Sequence, residues 1–312
     1  MRCHGGVSAS DADPERVFQE HRGLLTGVAY RVLGSIGDAE DVVQETWLRW
    51  SRTDHDEVRD ARAFLTTTAS RLALNALRSR QRRRESYVGP WLPEPIATSG
   101  VDGGADAAEP VLLAESVSLA FLVVLESLSP LQRVVFVLHD LFGFDHAEVA
   151  RAVGRSEAAV RQLASRARRQ VRDQRPTAVA DPGEHVRVTR AFMAAAVSGE
   201  VGALLDVLAP DVVVLTDGGG AAKAALRPIH GAAKAARFLA AISHETPGVR
   251  WRVTGLNGRA GVLVHLGEHL IGTVDLDVSD GRVDTIRVQL NPAKLAGLHP
   301  DPSPSPPGSP AP

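Results

Sequence analysis

The chain has 312 residues, 44% apolar and 23% charged, a balance that fits folded protein of about two domains by size and leaves room for a third. It contains no apolar run of the roughly 18 residues a membrane span requires, and its opening stretch lacks the apolar core of a secretory signal. Cys3 is the only cysteine, which excludes internal disulfides and cysteine-based zinc sites and points to the cytoplasm. The formal charge of −2 argues, taken whole, against a nucleic-acid binder. The distribution says more: residues 1–175 hold 23 arginines, no lysine and 24 acids, while Lys223, Lys234 and Lys294 all lie late.

From Pro14 to Arg84 the pattern is helical. Phe18, Leu24, Leu25, Val28, Ala29, Val32 and Leu33 fall at helical spacing, and Gly34 and Gly37 punctuate a turn. A second helix begins near Asp38 and a third near Ala61. The second opens on Asp38, Glu40 and Asp41, acids that offset a helix dipole. Gln44, Glu45, Trp47 and Trp50 do not follow from that, and they suggest a face for another protein. The third helix ends on Arg78, Arg80, Arg82, Arg83 and Arg84. Cations suit a helix C-terminus, but five within seven residues favour phosphate contact.

Residues 85–110 form a linker, because Pro90, Pro93 and Pro95 forbid a helix. Tyr87, Val88, Trp91 and Leu92 are too apolar for a purely solvated segment, so it is expected to dock. Residues 111–175 are helical again. Ser129-Pro130-Leu131-Gln132 reads as a capping box with proline at the first helical position, and Gly143 as the helix end. Asp145–Val153, the turn Gly154-Arg155-Ser156 and the helix from Glu157 form a helix-turn-helix, with Ala159, Val160, Leu163 and Ala167 as the expected buried stripe. Arg155, Ser156, Arg161, Gln162, Ser165, Arg166, Arg168 and Arg169 lie outward, as side chains for a major groove would. The bland alternative is a solvated basic helix in a bundle.

After Pro176 and Pro182 the pattern changes to helices over 184–208 and 231–243, with strands between and after them. Asn257-Gly258 and Asp280-Gly281 signal hairpins. This unit, 184–298, is expected to be α+β with a curved antiparallel sheet. The 299–312 tail is Pro/Ser-rich and expected to be disordered.

Three blocks resemble extracytoplasmic-function RNA polymerase sigma factors: Gly37–Trp47, Phe64–Arg78, and Leu128–Arg133 through Ala159–Arg168. The resemblance implies two all-α sigma domains, 14–84 and 111–175, the second carrying the helix-turn-helix. It implies that Asp38, Asp41, Gln44, Glu45 and Trp47 meet the polymerase core (β′ and β subunits). Arg71, Asn75, Arg78, Arg82, Arg83 and Arg84 are then the minus-ten DNA face, and helix 157–172 reads the minus-thirty-five element. Phe64 stands where many members carry Trp, and Arg71 where many carry Asn, so a base preference does not transfer.

Tyr87–Pro95, Asp217-Gly218-Gly219-Gly220 and Asn291-Pro292-Ala293-Lys294-Leu295 are similar to motifs of the sigma factors with a SnoaL-like C-terminal extension. That similarity implies cis regulation in place of a separate anti-sigma protein. It also implies an interdomain set of Trp91, Leu92, Pro93, Asp217, Gly218, Gly219, Asn291, Pro292 and Lys294. Promoter DNA and polymerase core are the expected partners, together with a small-molecule ligand that a cone-shaped pocket could hold; no membrane, metal, cofactor or catalytic residue is expected.

Two other readings compete. A SnoaL-like isomerase or cyclase fused to a DNA-binding module would need acid/base groups in its pocket, with Asp217, His230, His265, His269 and Asp275 as candidates. A one-component ligand-sensing regulator would explain the helix-turn-helix but not the 37–78 blocks. The glycine triplet lacks a Lys-Ser/Thr partner, which excludes a phosphate-binding P-loop.

Overall fold

A computed structural model describes residues 13–84, 87–98, 118–174, 180–245 and 248–298. They fall into two compact units. One joins the residues up to Tyr87 with 118–174, and the other joins Val88–Thr98 with Ala180 onward. The two helical segments, read from sequence as separate domains, therefore share one unit. The linker piece belongs with the C-terminal one.

In the helical unit, α1 (Pro14–Leu33) starts at Asp13, whose carboxylate accepts from the Glu15 N–H, and stops at Gly34 in the left-handed region (φ 67°). Helix α2 (Ile36–Trp50) is capped by Ser35, and α3 spans Ala61–Arg84. Leu25, Val28, Val32, Val42, Leu65, Ala69 and Leu77 form their common core. Trp50, expected to be part of a protein-binding face, is only 3% exposed. Its indole N–H donates to the Pro14 carbonyl (2.8 Å) and its ring meets Phe64 and the edge of His55, so it is a core residue.

The second segment runs through α4 (Leu119–Glu126), α5 (Pro130–Phe136), a π-helical turn (Val137–Leu141), α6 (His146–Val153) and α7 (Glu157–Gln174). The Ser129/Gln132 capping box is present, and a second one, Asp145/Glu148, starts α6. Gly154 ends α6 at φ 65°, and Ser156 caps α7 through the Ala159 N–H. The buried stripe of α7 is Val160, Ala164, Ala167 and Val171, with Ala159 and Leu163 half-buried. The stripe sits one step around from the expected one, because i, i+4, i+7, i+11 is the spacing that follows a straight helix over three turns.

The C-terminal unit contains β1 (Ala97–Thr98), α8 (Pro182–Ser198), α9 (Val201–Val207), β2 (Leu208–Asp217), β3 (Ile229–His230), α10 (Ala232–Glu245), β4 (Val249–Leu256), β5 (Arg259–Leu266), β6 (His269–Ser279), β7 (Arg282–Gln289) and α11 (Pro292–Leu295). The sheet order is β1-β4-β5-β6-β7-β2-β3. Every pairing is antiparallel except β2 with β7, so the sheet is mixed and open. Asn257-Gly258 and Asp280-Gly281 make the two expected hairpin turns, all four residues at positive φ.

Strand alternation sends Val212, Val214, Val262, Val264, Val274, Leu276 and Ile286 into one core with Val188, Phe192, Ala236 and Leu239 of the helices. It sends Asp217, Asp275, Asp277, Arg287 and Gln289 to the opposite face. The helix-covered interior expected to hold a ligand is lined mainly by apolar side chains. No helix among the described residues is long and apolar enough to cross a membrane.

Candidate functional site

On α2, burial of Ala39, Val42, Val43, Thr46 and Trp50 turns Asp41 and Gln44 outward. Asp38 is half-exposed and pairs with Arg80 (3.3 Å); Glu45 binds Arg49 (3.0 Å). Trp47 is half-buried against Phe18, with ring centroids 5.0 Å apart. Leu48, 39% exposed, continues the stripe from Asp41 and Gln44. Sequence reasoning misses it; the signal is an apolar residue seven positions after Asp41 and off the buried stripe.

On α3, Asn75 and Arg78 are exposed. Arg71 is engaged: its Nε donates to the Ala152 carbonyl (3.1 Å) and a terminal nitrogen to the Arg151 carbonyl (2.9 Å). Arg80, from the basic island, donates to the Leu33 carbonyl, so it ties the α1 end to the α2 start. The side chains of Arg82, Arg83 and Arg84 lie outside the described residues.

On the helix-turn-helix, Arg155, Ser156, Arg161, Gln162, Ser165, Arg166, Arg168 and Arg169 are all exposed. A groove between α6 and α7 is lined by Ala150, Arg151, Arg155, Ser156 and Glu157. Glu157 holds Arg161 (2.5 Å), and Asp140 holds Arg168 (2.7 Å). The first residues of α7 and the exposed arginines beyond them form one basic, outward surface.

In the C-terminal unit the three motifs converge. Asp217, at the end of β2, is fully buried and accepts from the Leu92 N–H (2.8 Å), the Lys294 ammonium (2.5 Å) and the Gly219 N–H (3.1 Å). Lys294 also donates to the Leu92 carbonyl (2.6 Å) and lies 4.1 Å from the Trp91 ring centroid. The carboxylate neutralises the buried ammonium, and the carbonyl and the ring face add to what offsets its desolvation. Gln289 reaches the Pro93 carbonyl and Asp217, both at 3.5 Å. Gly219 has φ +60°, and a Cβ there would lie 2.2 Å from the Asn291 amide; one on Gly218 would lie 2.4 Å from the Ala222 carbonyl. Asn291 caps α11 through the Ala293 N–H, with Pro292 in its first turn, and that turn aims Lys294. Ala293 itself is exposed.

Further along the linker, Ile96 exchanges hydrogen bonds with Asn257, and Ala97–Thr98 pair with Gly255–Leu256 as an edge strand. Gln289, Asn257 and Ile96 complete this site without having stood out in sequence. Their one signal is position, next to a motif or in a hairpin turn.

The acid/base candidates do not converge. Asp217 is committed to Lys294, and Asp275 shares Arg287 with Asp277 (3.0 Å to Asp275). Burial pushes the Asp275 carboxyl up, with Arg287 opposing. His230 and His269 are exposed, and burial beside Arg252 and Arg250 lowers His265. Among the described residues no three His, Cys, Asp or Glu side chains are grouped to hold a metal.

Residues 17–83 match sigma-70 region 2 and residues 118–171 match sigma-70 region 4. The chain is 42% identical over 298 residues to the ECF RNA polymerase sigma factor SigJ of Mycobacterium tuberculosis, covering 90% of this chain and 92% of the relative. The chain belongs to the ECF RNA polymerase sigma factors.

This sigma factor is also 34% identical to the probable ECF sigma factor SigI of the same organism, over 96% of this chain and 98% of that one. The crystal structure of M. tuberculosis SigJ superposes with a TM-score of 0.71 at 38% identity, covering 90% of this chain and 97% of that one. The fold is two helical sigma regions followed by an α+β extension with a mixed sheet. The sigma factor directs RNA polymerase core to promoter DNA for initiation and is not an enzyme.

Proposed function

We propose that the outward stripe Asp41, Gln44 and Leu48 of α2, with Asp38, Glu45 and Trp47 at its margins, docks on the polymerase core. Asn75, Arg78 and the arginines at the end of α3 meet the unwound minus-ten strand, together with Arg71. The surface from Arg155 to Arg169 reads the minus-thirty-five duplex. Capture of an extruded base offsets an unstacking cost of a few kcal/mol, and the guanidiniums supply salt-sensitive affinity.

We further propose that the extension regulates the sigma factor in cis, taking the place of a separate anti-sigma protein. One observation carries this: Lys294 and Asp217 clasp Leu92, in the segment that joins the two DNA-reading regions. A domain that grips the linker controls how far apart those regions can stand. Run-off transcription with polymerase core tests it, using the region upstream of the protein's own gene as template. The full chain, the Lys294→Ala variant and a chain ending at residue 180 are compared. Cis regulation predicts that both altered chains change output in the same direction. Equal output from all three sinks the regulatory reading and leaves the sigma activity standing.

A further inference from the structure

Two histidines beside the helix-turn-helix have no part in the surface from Arg155 to Arg169. His139 lies in the π-helical turn and His146 is the first residue of α6; their ring centroids are 4.1 Å apart. His139 is anchored. Its Nδ1 lies 2.8 Å from the Phe144 carbonyl, which can only accept, so that nitrogen carries the proton and donates. His146 is half-buried, and among the described residues neither of its ring nitrogens has a hydrogen-bond or ion-pair partner.

The surroundings of His146 are cationic. Arg161 and Arg168 of α7 act on it, together with Glu157 one turn before Arg161. The nearby acids are committed elsewhere. Glu157 holds Arg161 (2.5 Å) and Asp140 holds Arg168 (2.7 Å), while the Asp145 and Glu148 carboxylates accept from the N–H groups of the α6 capping box. Partial burial, and then the charges of His139, Arg161 and Arg168, hold His146 below the ordinary histidine range against Glu157. A neutral, unpartnered imidazole therefore stands beside an exposed basic surface.

A neutral ring offers a phosphate little, whereas a protonated one is a charge-assisted donor. In a helix-turn-helix the second helix enters the major groove while the first crosses the phosphate backbone, and His146 opens that first helix. A phosphate arriving there also offsets the guanidiniums that keep the ring neutral, so the anion itself raises the ring's affinity for a proton.

We propose that His146 is a proton-gated contact to a backbone phosphate of the minus-thirty-five duplex, made in its charged form only, so that the sigma factor holds this element more tightly as pH falls. The proposal rests on the reading of α7 as the duplex-reading helix. Duplex binding then takes up a proton. The added affinity is fully present below the range in which the free ring titrates, and is lost as pH rises through the higher range of the bound ring.

The test titrates polymerase core loaded with the full chain onto a labelled duplex from the region upstream of the protein's own gene. Binding is measured at pH 8 and pH 6 and across salt, with core alone as the blank. At pH 6 the parent should bind more tightly than His146→Gln by up to about tenfold, the limit for a one-unit rise on the ring. Its log affinity should fall more steeply with log salt, by about 0.9, the slope of one phosphate contact. At pH 8 the two should be equal. His146→Arg should bind tightly at both pH values, which a merely structural role for the ring would not produce. His139→Gln keeps a donor for the Phe144 carbonyl and removes a like charge, so it should move the parent's transition to higher pH. A parent-to-Gln ratio that is the same at both pH values, or a His146→Arg chain no tighter than His146→Gln at pH 8, overturns the proposal. Loaded core that binds the duplex no better than core alone overturns the reading of α7 and this proposal with it.

Discussion

Arg71 and Lys294 each pin one piece of chain to another, and they do so in opposite ways. Lys294 is 8% exposed and holds a buried carboxylate, a carbonyl and a ring. Arg71 is exposed and holds two helix-end carbonyls. The first contact has no competitor in water, because removing either charge strands the other in a low-dielectric site. The second stands in water, where solvent competes for the same guanidinium. One clasp is closed off from solvent and the other is open to it, although each involves a cation with hydrogen-bonded oxygens.

The largest effect that separates them is Lys294→Ala, which should cost the linker's docking about 3 kcal/mol or more, since Asp217 is left buried without its counter-charge. Amide exchange at Leu92–Thr98 should accelerate by about two decades or more, at 1.4 kcal/mol per tenfold; unchanged exchange would mean that the β1 pairing alone holds the segment. Leu92→Ala comes next. Its side chain is 1% exposed, and truncation should weaken the same docking by about 2 kcal/mol. Arg71→Ala should cost the helical unit between about 1 and 2 kcal/mol, less than a buried cation would, because the site is wet. Its urea midpoint, set beside that of Lys294→Ala, measures the difference between the two clasps directly. Asp145→Ala, which removes the α6 cap without touching Arg71, should cost about 1 kcal/mol at most. If it destabilises the helical unit more than Arg71→Ala does, the carbonyl contact is not what holds α6 in place.

The last prediction concerns sign rather than size. Burial raises Asp275, so the folded state favours its neutral form. The stability this group contributes is present below the ordinary aspartate range and is lost as pH climbs above it. Asp275→Asn suffers no such loss, so its denaturation midpoint should gain on the parent between pH 4 and pH 7. A gain in the other direction would show Arg287 holding the carboxylate more strongly than burial disfavours it.

What the sequence made legible was local. The Ser129 capping box, the Gly154–Ser156 turn and both hairpin signals are each decided within four residues, and each formed as expected. The residues of the linker site were also readable, as motifs, though not their bonding. Trp50 looked like a surface aromatic because its partners, Pro14 and Phe64, lie 36 and 14 positions away. The parallel β2–β7 pairing and the carbonyl partners of Arg71, some 80 residues distant, leave no local trace at all. Periodicity reports which face of an element is buried, not what buries it.

The clasp on the linker closes across 202 residues of chain, from Leu92 to Lys294. A ribosome adding about 5–20 residues per second needs roughly 10–40 s to travel that far. For the last 120 of those residues, from Gln174 to Lys294 and roughly 6–24 s, both DNA-reading segments have been synthesised and the grip on the linker between them has not. Each newly made molecule thus passes through a brief period in which its linker is not yet held by its own C-terminal half, and the length of that period is set by the speed of translation.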